Sequence, residues 1–181
     1  MVVVVVLMVV GSGLMAAFMT GQTAYLSADV SIQVQEEMRK ALDAMVKELR
    51  EAGSVVPSSG NRQLDFKVAL GYNQPGIAGC PEDETCWGAR DVAGTPHPDW
   101  TVRYLVSDNQ LVREVYDAST PARRQSRRVL ANLIDSEGPI FAWNATDRIV
   151  TIGLQVQANS PFLPGGLQST GVSTQVRLRN S

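Results

Sequence analysis

Histidine and cysteine are nearly absent from this chain. One histidine (His97) and two cysteines (Cys80, Cys86) in 181 residues cannot build a histidine-rich metal site or a four-ligand zinc site, and they leave one imidazole for base chemistry. No metal and no cofactor are expected. Neither sign of charge dominates, with 16 Lys and Arg against 18 Asp and Glu and a formal net charge of -2. Without the basic footprint that phosphate backbones require, nucleic acid is not an expected partner. A phosphate-cradling glycine loop and a GxSxG nucleophile elbow are missing as well, so no catalytic constellation stands out and an enzyme is not expected. The length suits one domain, or one domain with an appended element.

Charge is missing altogether from the first 28 residues, Asp29 being the first charged side chain. Residues 1–19 (MVVVVVLMVVGSGLMAAFM) are apolar apart from Gly11, Ser12 and Gly13. Nineteen helical residues rise about 28 Å, close to the roughly 30 Å of a bilayer's hydrocarbon core, so one membrane span is expected. Five valines in a row favour a strand in water, but a lone strand in lipid leaves its backbone groups unpaired, and a helix does not. A cleaved signal peptide is disfavoured, because no Lys or Arg occurs before Arg39. In that apolar setting Gly11, Ser12 and Gly13 read as small residues that allow close helix packing.

Proline is absent from residues 1–52, and the apolar segment passes into an amphipathic one. Val30, Val34, Met38, Leu42, Met45, Leu49 and Ala52 follow one another at spacings of four and three, which marks one helical stripe. Glu36 with Lys40 and Asp43 with Lys47 form acidic-before-basic pairs on the other face. Gly53 is expected to cap the helix and Pro57 to prevent its re-entry. The economical reading is a single helix of roughly 78 Å whose second half lies on a globular head.

The remainder alternates as strands do. Leu64, Phe66, Val68 and Leu70 share one face, as do Trp100, Val102, Tyr104 and Val106. Asp108 and Asn109 predict a hairpin over residues 100–116. Residues 140–143, 148–157 and 173–179 are further strand candidates, residues 129–134 are ambiguous between helix and strand, and 159–171, with its prolines and glycines, reads as a loop.

Cys80 and Cys86 enclose CPEDETC, a spacing that fits neither a CxxC redox motif nor a zinc knuckle. A structural disulfide fits better, stabilising by roughly 2 kcal/mol on the chain-entropy model, in a head placed outside the cytoplasm. Glu82, Asp83 and Glu84 between them offer oxygen ligands for calcium but lack the spacing of a dedicated site, so a solvated acidic turn is expected. Arg123, Arg124, Arg127 and Arg128 form the one basic cluster, suited to anionic headgroups or an acidic partner, with a solvated loop as the plainer reading. His97 sits between Pro96 and Pro98 and has no orienting partner in sequence, and Asn144-Ala145-Thr146 matches a glycosylation sequon in an expected turn.

An apolar segment continuing unbroken into QVQEEMRKALDAMVKELREAG and then a small β head resembles the type IV pilin-like family of pilins and pseudopilins. The succession VRYLVSDNQLVREVY, VLANLIDSEGPIFAW, RIVTIGLQV and TQVRLRN looks like its minor pilin and minor pseudopilin branch, PilW-like or GspJ-like. The resemblance implies an α+β pilin-like fold: a stalk helix over 1–53, membrane-spanning in its first half, on a small, mostly antiparallel β head over 54–181. It further implies a structural subunit that helps to initiate or cap a type IV pilus or a type II secretion pseudopilus. Its partners would be other pilins or pseudopilins, met through the N-terminal helix. Before assembly it would lie in the inner membrane as a single-pass protein with the head in the periplasm. The competing expectation is a membrane-anchored periplasmic binding domain that enters no fibre. The family's basic leader and early glutamate are expected upstream of Met1.

Overall fold

A computed structural model of the chain describes residues 2–72, 76–132, 134, 138, 140–159 and 167–179. Helix α1 runs Val2–Arg50. From Met38 its apolar stripe is buried, with Met38, Ala41, Leu42, Met45 and Leu49 each at most 5% exposed, because these positions recur every three or four residues along one face. Each Met or Leu among them stabilises by about 1.5–3 kcal/mol when fully removed from water.

The helix ends differently from expectation. The Glu51 N–H donates to the Glu48 carbonyl at 3.1 Å, and the chain passes at once into β1 (Ala52–Ser58). Ala52, Gly53 and Pro57 are therefore strand residues, not helix, cap and breaker. Pro57 is tolerated because β1 pairs only with β2 (Gln63–Tyr72) among the described residues. Gly53 answers to packing, since a Cβ there would lie 2.5 Å from the Trp87 ring.

Strand β2 pairs with β1, with β3 (Thr85–Arg90) and with β5 (Thr101–Ser107). The larger sheet has seven strands in the order β4-β3-β2-β5-β6-β7, with β1 attached to β2. Here β4 is Pro96–Pro98, β6 is Gln110–Tyr116 and β7 is Arg124–Ala131. Asp108 and Asn109, at φ of 53° and 58°, form the tight β5–β6 turn. A second sheet of three strands, β8 (Phe141–Asn144), β9 (Ile149–Asn159) and β10 (Leu167–Arg177), has β9 in its centre. All these pairings are antiparallel. The end of α1 touches β7 of one sheet and β9 and β10 of the other. A single core joins Leu49 and Met45 to Leu64, Phe66, Tyr104 and Leu111 on one side and to Val150, Ile152 and Leu154 on the other.

Three expectations are corrected here. The α+β pilin-like architecture, one membrane-spanning helix on one small sheet, gives way to a mostly antiparallel β protein with ten strands in two sheets among the described residues. No helix among the described residues is long and apolar enough to cross a membrane. The expected transmembrane segment, and with it single-pass insertion in an inner membrane, falls on the same finding. The segment read as a loop over 159–171 is corrected as well: β9 continues to Asn159 and β10 begins at Leu167, and 160–166 lie outside the described residues.

Candidate functional site

The last turns of α1 carry Glu48 onto the inner face of the larger sheet, over β5 and β6. There Tyr104 and Arg113 stand opposite each other in register. The Glu48 carboxylate accepts bonds from Arg113 Nε at 3.0 and 3.1 Å and from Nη2 at 2.5 Å. It also accepts the Tyr104 hydroxyl proton. Tyr104 is fully buried, and burial together with the adjoining Glu48 charge holds its hydroxyl well above the ordinary tyrosine value, so it remains a donor. Burial alone would lower the Arg113 guanidinium, but its bonds to Glu48 and the charge there more than offset this and raise it. The three groups are spent on one another, and they fasten the helix end to the sheet.

Beside this latch lies a cleft of about 580 Å³ between α1, β7 and the β3–β4 turn. Lys47, Arg90, Arg113, Arg127 and Arg128 outnumber Glu48, Glu51 and Asp91 along its walls. The cleft therefore favours anions over cations. Arg128 makes no side-chain hydrogen bond or ion pair among the described residues.

The outer face of the same sheet carries a second polar system. Asp65 stands opposite Arg103, Arg103 opposite Glu114, and Glu114 opposite Arg127, a row of alternating sign across β2, β5, β6 and β7. Arg103 grips Asp65 at 2.7 and 2.9 Å and lies 4.5 Å over the Tyr116 ring. Glu114, only 4% exposed, accepts from Arg124 at 2.7 Å and from the Tyr116 hydroxyl at 2.8 Å, with Arg127 at 3.6 Å. Asp117, at the turn into β7, accepts from Ser119 and the Arg123 backbone and is held down to about 2.

The residues singled out from sequence are scattered. Cys80 and Cys86 are disulfide-bonded, with Cα atoms 5.1 Å apart. Glu82, Asp83 and Glu84 between them are exposed, and no metal-holding group of side chains occurs among the described residues. Gly11, Ser12 and Gly13 lie on the exposed half of α1, and a Cβ at either glycine would meet nothing within 4 Å. His97 has partners after all. Its ring stacks on Trp100 at 3.8 Å and its Nε2 lies 3.2 Å from Asp91, whose carboxyl is held low by the Thr95 backbone and by His97. Arg124, Arg127 and Arg128 belong to β7, not to a loop. Asn144 closes a turn, donating to Asp147 at 2.6 Å and accepting from the Thr146 N–H at 3.0 Å.

Sequence reasoning missed Glu48, Tyr104 and Arg113, which are 56 and 65 positions apart along the chain. Only strand register together with the crossing of α1 over β5 and β6 reveals them. No family model, no curated protein and no solved structure matches the chain.

Proposed function

We propose that this chain is a structural, non-enzymatic subunit that packs through its N-terminal helix into a helical bundle. Of such assemblies, it best suits a minor pilin or minor pseudopilin that initiates or caps a fibre. One observation carries the reading. Val3, Val4, Leu7, Met8, Val10, Leu14, Met15, Phe18 and Met19 are each at least 54% exposed on α1. These side chains cover an arc of about half the helix circumference at 3.6 residues per turn, and an exposed apolar surface of that extent marks a site that other molecules cover. Neighbouring helices of the same kind would do so, and the small residues Gly11, Ser12 and Gly13 let their backbones approach. The latch at Glu48 supports the same role, because it ties the exposed helix rigidly to the head that such a subunit would display.

The test is the double substitution Gly11→Leu and Gly13→Leu, made in the only gene copy of a fibre-forming host. Leucine keeps the helix and its apolar character, while obstructing close contact. Normal amounts of the variant with fewer fibres, counted by electron microscopy, are expected. Undiminished fibre number would refute helix packing at these positions.

A further inference from the structure

β7 is the outermost strand of the larger sheet on its side and pairs only with β6 among the described residues. Its second edge carries backbone N–H and C=O groups that have no strand partner among the described residues and can pair with another chain. The two faces of the sheet show what such a chain would carry. On the outer face the row Asp65, Arg103, Glu114, Arg127 alternates in sign from strand to strand and stops at the open edge on a cation. On the inner face Arg113 is answered by Glu48, and Arg128, next in the row, has no partner among the described residues. Arg127 and Arg128 are consecutive, so they point to opposite faces. A strand laid along β7 would complete both rows only with two adjacent carboxylates, one on each face.

We propose that the free edge of β7 takes an extended segment of a partner protein. Backbone hydrogen bonds would hold it, and two consecutive acidic residues would stand opposite Arg127 and Arg128. Cross-strand pairs of opposite charge stabilise and like charges opposite one another destabilise, so the edge selects against basic segments, including a second copy of β7. This inference stands apart from the helix-packing reading, and either can fail without the other.

The test uses the full chain and fluorescein-labelled peptides of about eight residues, the length of β7, of sequence Thr-Val-Thr-X-X-Val-Thr-Val. Fluorescence anisotropy should show binding with X as Glu, and binding about tenfold weaker with X as Gln, as two lost charge pairs imply. Alternate N-methylation of the Glu peptide should abolish binding, because it removes the backbone donors. Arg128→Glu should shift preference from the Glu peptide toward the Lys peptide without altering the circular dichroism spectrum. Absent or charge-independent binding would overturn the proposal and leave the arginines as guards of the edge. Binding that survives N-methylation, or a DNA duplex bound as tightly as the Glu peptide, would overturn it too, by assigning the arginines to charge alone.

Discussion

Tyr104 is the residue whose chemistry is most altered by the fold. Its hydroxyl is buried, bonded to a carboxylate and held above the ordinary value near 10. The folded state therefore keeps a proton that the unfolded chain gives up near pH 10, and the resulting stability is complete below that pH and lost as pH rises above it. Urea denaturation between pH 8 and pH 11 should show a fall at the alkaline end. The fall should be shallower in Tyr104→Phe, with the remainder from Tyr116, which burial and Glu114 also raise. Equal alkaline slopes in the two proteins would mean that Tyr104 titrates as an exposed phenol does. Nothing in the local sequence around Glu48 announces this site, because an acidic residue on a charged helix face reads as solvated. Arg113 looks like the polar half of an alternating strand. Their meeting depends on where α1 crosses the sheet, a tertiary fact with no local pattern.

Among the elements, clean alternation made β2, β5 and β9 legible, and the Asp108–Asn109 turn made β6 so, whereas β1 and β7 offered neither signal. β2, β5 and β9 each bury every second residue, and their apolar residues recur with period two in sequence. β7 exposes Arg124, Gln125, Arg127 and Arg128, so its basic part offered no apolar period and read as loop, with 129–131 ambiguous between helix and strand, although its charges are placed by register with β6. β1 was hidden for another reason. Gly53 and Pro57 are ordinary punctuation after a helix, and only the Trp87 ring against Gly53 shows that the glycine makes room inside a strand. Gly53→Ala should accordingly destabilise by about 1–3 kcal/mol, the usual effect of overpacking. Exposed Ser54→Ala should stay within about 0.5 kcal/mol. Urea midpoints of the two variants would check this, and equal midpoints would show that Trp87 moves aside without penalty.

At the scale of the whole molecule, α1 divides into two halves with different obligations. Its second half belongs to the core of its own chain, whereas its first half exposes apolar side chains from Val3 to Met19 that no part of the described chain covers. The apolar run itself was plain in the sequence, but its setting was not. Composition suggested lipid, but no helix among the described residues is long and apolar enough to cross a membrane. Packing against other helices is the use proposed here for that exposed surface. Both native cysteines are joined to each other, so an introduced cysteine provides a single reactive thiol. The most direct measurement is therefore oxidative cross-linking of Leu7→Cys and Leu14→Cys, on one stripe of α1, with Val92→Cys as a control that is 88% exposed on the head. Helix packing predicts rapid covalent dimers, or adducts with helix-bearing partners, at Leu7 and Leu14 and none at Val92. Equal cross-linking at all three positions, or none at the helix positions, would contradict it.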